Sequence, residues 1–522
     1  MIKYNPQNQI EIFEFEHPFE TELDRDNRWV KLAKYLPWDK LVGIYSQALS
    51  AHSGRYGIDG RLAVGSLIIK HRLGLSDREV IEVLKENIYL QFFVGMKKFT
   101  TKAAFDPSLF VELRKRMGAE KFDEMSQQII KLSDQKKTKP TRKQKKGSDS
   151  DDQTPEDAGS KKNSSGILSK PDISKDNQGS LKLDATVADQ KIAYPTDHGL
   201  LNKAREESER LIDILYYQTT MTKKPRTYRR NARKDYVNFS KKKAKTNKQI
   251  RKAVGKQLNY LRRNIKSIHT LLDVFEGYSF PLNKHDQRIL WIIQTLYDQQ
   301  LQMHSERKHS VKDRIVNMHQ PHVRPIPRGK DKAQTEFGAK IGVSEVNGFA
   351  RINHLSWDAY NETTDLQPQV EEYRRFYGHY PEVVLADNIY LSRENRKYLK
   401  QRGIRITGKR LGRPPENETY YQKSKRKKEH NQRNHIEGKF GQGKNAYGLS
   451  KIAAKTRKTS ESWISGIFFV MNLVKVQQTL MLLWFIWGVF FWPYYFWQKI
   501  FNKKSDYLDN SLIVNLNFII VG

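Results

Sequence analysis

The 522-residue chain contains no cysteine. That excludes disulfides, thiolate zinc sites and cysteine nucleophiles, and it suits a reducing compartment. Acids are scarce beside bases. There are 58 Asp and Glu against 93 Lys and Arg, a formal net charge of +35. Such a surplus points to polyanionic partners, nucleic acid first and an anionic membrane surface second. The N-terminal MIKYNPQNQIEIFEFEHPFE has no apolar run behind a basic start, so no signal peptide is expected. There is no repeat of fixed period. Hydrophobic residues make up only 38%, which reads as a soluble chain with disordered stretches. One long run lacks charge altogether, between Lys475 and Lys499. Its segment 479–497, TLMLLWFIWGVFFWPYYFW, is long enough for a span of about 20 apolar residues. The aromatic density and Pro493 suit an interfacial or buried helix as well. A helix packed on its own domain or on a partner is preferred, with membrane contact as the alternative.

What is present divides the chain. Residues 1–27 read as an extended leader, and 28–133 as a helical domain. Leu62, Ala63, Leu67, Ile68 and Ile69 follow helical spacing, with Gly74 placed as a C-cap. Ser76 and Glu79 have capping-box spacing, opening a helix with Val80, Ile81, Val83 and Leu84. Two helices joined by a glycine-containing turn suggest a helix-turn-helix, or an ordinary helical hairpin. Residues 134–180, rich in Lys, Ser and Asp, read as a disordered linker.

From 181 an α/β pattern begins. LKLDATV (181–187) reads as a buried strand ending in an acid, with a helix near 199–217. A helical insertion follows over 222–310. Its first part, 222–268, holds 18 Lys and Arg against one acid, Asp235. Arg229, Arg230, Arg233, Lys241, Lys242 and Lys243 belong to this block and are expected to track phosphates. Tyr228, Tyr236, Phe239 and Tyr260 interleave with the charges, suited to packing a helix core or to stacking on bases. Strands are expected at 336–343 and 348–355, a helix at 367–377, a strand in PEVVLADNIY, and a helix capped by Ser392. A short strand, IRITGK, precedes a basic loop over 410–432. The catalytic unit spans 181–475 and an apolar tail 476–522.

Asp184 and Asp387 each end a strand, where α/β proteins place their sites. Alone, either is equally a turn former or a helix cap. On a helix at 100° per residue, His430, Arg433, Glu437 and Lys444 share one face about 60° wide. The bland reading of that face is a solvated Arg433–Glu437 ion pair. Gly438, Gly441 and Gly443 weaken the helix, and either end it early or let nucleic acid approach closely. Three carboxylates meeting at a sheet edge would form a hard, oxygen-lined site suited to Mg²⁺ or Mn²⁺.

These segments resemble a known family. DATVADQKIAYPTDHGLLNKAREESERLID (184–213) and VVLADNIYLSRENRKYLKQRGIRITG (383–408) resemble the stretches around the first two acids of bacterial insertion-sequence transposases of the DDE class. Arg433, Glu437 and Lys444 keep the spacing of that family's Tyr-x2-Arg-x3-Glu-x6-Lys signature, with His430 where Tyr is usual. Residues 54–95 resemble the helical domain that precedes such catalytic domains, which implies that 28–133 is a DNA-binding domain recognising terminal inverted repeats, with 222–268 holding flanking or target DNA. The resemblance covers roughly 28–120 and 181–475.

The resemblance implies an α/β fold: a ribonuclease-H-like mixed sheet flanked by helices, with an all-α N-terminal domain and a helical basic insertion. It implies Asp184 on the first strand, Asp387 on the fourth and Glu437 on a later helix, as catalytic residues and ligands of two Mg²⁺ ions, with Mn²⁺ as a substitute. Arg433, Lys444 and His430 would contact DNA. Asp189, Asp197, Asp358 and Asp365 are competing positions for the second acid, with Asp358 the main rival. The implied activity is DNA cleavage at element ends and strand transfer of the 3′-OH into target DNA. The implied partners are terminal inverted repeats, target DNA and further copies of the chain, in the bacterial cytoplasm at the nucleoid. The rival readings are a catalytically inactive DNA-binding relative and a nuclease that does not join.

Overall fold

In the computed structural model, the structure describes residues 15–18, 22–49, 57–137, 176–277, 279–330, 333–407 and 419–479. Six helices come first: α1 (Arg28–Tyr35), α2 (Trp38–Ser46), α3 (Gly60–Leu73), α4 (Asp77–Glu86), α5 (Ile88–Phe93) and α6 (Leu109–Lys137). The predicted local signals operate. Gly74 ends α3 in the left-handed region (φ 68), and Ser76 and Glu79 close a capping box on α4. Gly118 (φ 60, ψ −177) breaks α6. The stretch expected as a leader contributes buried Phe15 and Leu23 to this domain, and Glu16 bridges to Lys98. Helix α6 runs on to Lys137, past the expected start of the linker.

The second half is a mixed sheet. Its strands are β1 (Ser180–Asp189), β2 (Arg324–Lys330), β3 (Ala333–Val346), β4 (Phe349–Ser356), β5 (Val383–Ala386) and β6 (Arg405–Thr407). The order is β2-β3-β1-β5-β6, with β4 also on β3. Strand β3 pairs antiparallel with β1, β2 and β4, whereas β5 is parallel to β1 and β6 is parallel to β5. β2 and β4 follow one another along the same edge of β3. Without β2, the order β4-β3-β1-β5-β6 is the ribonuclease-H-like sheet the resemblance implied. Because β2 adds a strand, Asp387 follows the fifth strand in chain order, and the expected fourth place is corrected accordingly.

Between β1 and β2 lie α7 (Asp197–Tyr217), α8 (Arg229–Ser240), α9 (Asn247–Asp273) and α10 (Lys284–Glu306). This insertion has its own apolar core, built from residues such as Leu201, Leu211, Leu261, Ile268, Ile293 and Leu296. Helices α11 (Leu366–Tyr377) and α12 (Arg393–Gln401) cover one face of the sheet, burying Leu181, Leu183, Val384 and Val370. Helix α13 (Tyr420–Ala446) and α14, the helix over residues 457–479, lie on the other side. There Ile436, Phe440, Ile464 and Phe468 join Ala188, Ile341 and Val343 in one core with the N-terminal helices.

Two expectations are corrected here. Much of the predicted basic loop is helix, since α13 starts at Tyr420. Nor do its glycines end it early. Gly443 lies on the packed side, where an added Cβ would come within 3.2 Å of Leu449 and 3.5 Å of Met471, so a small residue permits close packing. The apolar stretch from residue 480 onward lies outside the described residues. Among those described, no helix is long and apolar enough to cross a membrane.

Candidate active site and basic face

Strand register brings the first two acids together. The last paired residues of β1 and β5 are Leu183 and Ala386. One step further stand Asp184 and Asp387, on adjacent parallel strands about 4.8 Å apart. Asp387 follows the end of β5 as expected. Asp184 instead lies inside β1 and does not end the strand, because the pairing with β3 continues and carries β1 on to Asp189. Asp184 is partly covered and accepts the Ala185 N–H at 2.8 Å. Burial pushes its carboxyl up to about 6, opposed by that hydrogen bond. Glu362 and Glu437 push it the same way as burial, and Arg433 pulls against them. Asp387 is exposed and caps the turn Asn388–Tyr390, accepting the Asn388 N–H at 2.7 Å.

Helix α13 packs across β1 and β5 and carries the third acid. Glu437 is half exposed and receives Arg433 at 3.0 Å, so the i,i+4 ion pair forms. Among the described residues, no group of three or more His, Asp or Glu is gathered closely enough to hold a metal ion. Lys444 does not point to open solvent. Its Nζ lies 3.5 Å from Glu336 and 3.9 Å from Asp189. His430 is exposed on α13.

The rival acids have other partners. Asp197, at the start of α7, receives Arg314 at 2.7 Å and Gln300 at 2.8 Å. Asp365 is buried and bonded to His354 Nδ1 at 2.7 Å. Asp358 lies just past the end of β4, exposed and 3.5 Å from Arg324.

The structure adds one carboxylate that sequence reasoning missed. Glu362 opens the turn Glu362–Asp365, pairs with Lys340 at 2.9 Å, and acts on Asp184 electrostatically. That turn is tied to the one after Asp387. Thr363 Oγ1 donates to the Ile389 carbonyl at 2.6 Å, and Asn395 Nδ2 donates to both the Thr363 and Tyr390 carbonyls at 2.8 Å. The local signal was Asn361, whose side chain caps the turn. Nothing in the sequence places that turn beside Asp387, because the contact spans two separate crossovers.

The basic insertion sorts by helical face. On α9, Val254, Leu258, Leu261, Ile268 and Leu271 form the buried stripe. Lys248, Arg251, Lys252, Arg262, Arg263 and Lys266 are exposed opposite it. Residues 241–250, including Lys241, Lys242 and Lys243, are exposed throughout, as are Arg230 and Arg233. Arg229 is held by Asp213 through two hydrogen bonds of 3.1 and 2.7 Å. The aromatics pack within the protein. Tyr236 and Phe239 enclose His198, Tyr260 donates to Asp235, and Tyr228 lies under Arg226 and Arg263. In the N-terminal domain, α4 exposes Arg78 with Glu79, Glu82 and Glu86. That face is more acidic than basic and is unsuited to tracking phosphates.

Comparisons with known proteins agree with this architecture. Residues 17–116 match a family described as a transposase domain, and residues 384–474 match the transposase DDE domain. The second match includes Asp387, Arg433, Glu437 and Lys444, while Asp184 lies outside both. A curated relative, the "Uncharacterized protein ORF8 in nfe locus" of Rhizobium meliloti, is 37% identical over 99 residues, 18% of this chain. The chain spans about half of that relative's length, 46%. No solved structure matches the chain. The chain thus carries a transposase domain at 17–116 and a transposase DDE domain at 384–474.

Proposed function

We propose that the chain is a DNA transposase that cleaves phosphodiesters at the ends of an insertion sequence and transfers the freed 3′-OH into target DNA. The observation that carries this reading is the register of Asp184 beside Asp387, with Glu437 on the helix that crosses them. The donor set is all carboxylate oxygen, which fits Mg²⁺ or Mn²⁺. Burial and the negative neighbours Glu362 and Glu437 raise the Asp184 carboxyl, and a local excess of negative charge suits a divalent cation. Asp184 and Asp387 would hold two ions, and Glu437 would complete the set on leaving Arg433. Bound divalent ions supply Lewis-acid stabilisation of charge developing on the phosphoryl oxygens.

The chain's own residues do the rest. Arg433, once released from Glu437, is a charge-assisted donor for a phosphate beside Asp184. His430, on the same helix, lies one turn toward the N-terminus. Lys444 braces α13 against Glu336 and Asp189, and reaches DNA only by exchanging those partners. The exposed bases at Arg230, Arg233 and Lys241 to Lys243 bind terminal repeats or target DNA through phosphates, so binding weakens steeply with salt. Two element ends must meet, so the active form on DNA is a homo-oligomer, working at the nucleoid.

The test is metal-dependent cleavage and joining of DNA carrying the element's ends, comparing wild type with Asp184→Asn, Asp387→Asn and Glu437→Gln. Wild type should cut and join, while the variants bind but do neither. Cutting without joining would favour a nuclease. Binding with no chemistry in Mg²⁺ or Mn²⁺ would favour an inactive DNA-binding relative.

A further inference from the structure

Helix α13 has a second flank, and it lines a basic cleft. Ile436 and Phe440 face the core. On one side of that stripe lies Glu437. On the other, His435, Gly438, Lys439 and Gln442 follow i, i+3, i+4, i+7 spacing and border a cleft of about 500 Å³. Lys182 of β1 and Lys475 of α14 line it too. Lys182 is two residues from Asp184 and so lies on the same face of β1.

Among the described residues lining the cleft, the one acid is already engaged. Glu345 is buried and bonds Lys182 at 2.7 Å, and it also accepts the Gly348 N–H at 2.6 Å. That N–H belongs to the two-residue turn Asn347-Gly348 (φ 53 and 87), which joins β3 to β4. The same turn packs against Lys475. A Cβ on Gly348 would lie 2.8 Å from Lys475 Cε. The ammonium groups of Lys439 and Lys475 therefore share a cleft whose carboxylate is committed to Lys182 and the turn. Gly438 leaves the wall open, with nothing within 4 Å of an added Cβ.

We propose that this cleft is a phosphate-binding site, and that its occupant is a backbone phosphate of the DNA strand running past Asp184. The inference rests on DNA being the substrate. The pocket has under-compensated cations, a half-buried setting that strengthens their field, and room for a phosphodiester. Lys439 and Lys475 hold the anion, while Glu345 fixes Lys182 and the turn that shapes the wall.

The experiment uses the full chain and a duplex carrying the element's end. Salt dependence of binding is measured for wild type, Lys439→Gln/Lys475→Gln, and Gly438→Glu. The last places a carboxylate in the cleft from an open helical position, so it tests occupancy without removing a packed side chain. Trace acetylation of Lys439 and Lys475 is followed with duplex and with inorganic phosphate. We expect the double variant to reduce the log–log salt slope by about 0.9, the share of the one phosphate that the two lysines hold. Gly438→Glu should weaken binding, and the duplex should protect both lysines. Inorganic phosphate should protect them only at far higher concentration. Equal protection by phosphate at equal concentration overturns the DNA strand as occupant. An unchanged slope with both lysines still reactive, while wild type binds DNA with steep salt dependence, overturns the cleft assignment and leaves the transposase reading standing. Failure of wild type to bind DNA at all overturns both.

Discussion

Asp184 and Asp387 occupy equivalent positions on neighbouring parallel strands, one residue beyond the pair Leu183–Ala386. A gap of more than two hundred residues in sequence thus closes to one strand spacing. If both carboxylates act on one phosphodiester, neutralising either removes charge stabilisation worth several kcal/mol in the transition state. At about 1.4 kcal/mol per tenfold, Asp184→Asn or Asp387→Asn should slow single-turnover cleavage by about 10² or more, with DNA binding retained. A variant that cuts at the wild-type rate would remove that residue from the site.

Asp77 ties the helical domain to the end of the catalytic domain. Arg114 bonds it through two 2.8 Å hydrogen bonds and Lys70 through one, and Trp463 of α14 lies within 4.2 Å of Lys70 and 5.1 Å of Arg114. Burial pushes the Asp77 carboxyl up, but Arg114 and Lys70 more than offset it and hold it below the usual range. Removing the acid strands two buried cations. Asp77→Ala should destabilise by about 3–5 kcal/mol in urea titration. Loss of less than about 1 kcal/mol would mean the cations find water instead.

Gly342 faces Ala185 across β1 and β3. A Cβ there would lie 2.5 Å from Asp365 Oδ2, 3.0 Å from Tyr360 Oη and 3.1 Å from Gln369 Nε2. These are packed polar atoms rather than loose side-chain ends. Gly342→Ala should cost about 1–3 kcal/mol by overpacking, read as a lower midpoint in denaturant. An unchanged midpoint would show that Asp365 and Gln369 move aside without loss.

His198 stacks on Tyr236 at 4.8 Å and meets Phe239 at 4.6 Å. Burial, helped by Lys245, lowers its pKa to about 4 from an ordinary 6.5. His322, against Trp357, is lowered to about 4 first by burial and then by Arg457 and Arg324. Between these values the unfolded chain binds more protons than the native one, so stability rises with pH. The contribution is complete above about 6.5 and is lost as pH falls toward 4. Melting temperature measured from about pH 7 to about pH 4.5 should fall, and less steeply in His198→Phe. Parallel curves for variant and wild type would refute the assignment to His198.

Local signals carried much of the fold. The Ser76–Glu79 capping box, the Gly74 C-cap and the Ser392 N-cap involve atoms a few residues apart, so spacing alone specifies them. Asp387, just past the end of β5, was readable for the same reason, whereas Asp184 lies inside β1. Misreadings arose where tertiary packing overrides composition. The basic segment after Tyr420 looks like a solvated loop, yet it is the first part of α13, whose later turns are anchored to the sheet through Ile436 and Phe440. Arg229 and Lys444, counted among phosphate contacts from charge, are held by acids elsewhere in the chain.

The sequence by itself determined the basic character, the helical N-terminal region, the α/β order of the second half and the acid that follows β5. Each follows from composition, or from periodicity over a few residues. Tertiary structure alone decided which charges meet. It set β1 beside β5 in a register that aligns Asp184 with Asp387, and brought Glu362 and the Arg433–Glu437 pair of α13 to Asp184. It also left Lys439 and Lys475 in a cleft whose acid is spent on Lys182. Coulomb interactions depend on distance and burial, and neither is encoded in the spacing of residues along the chain.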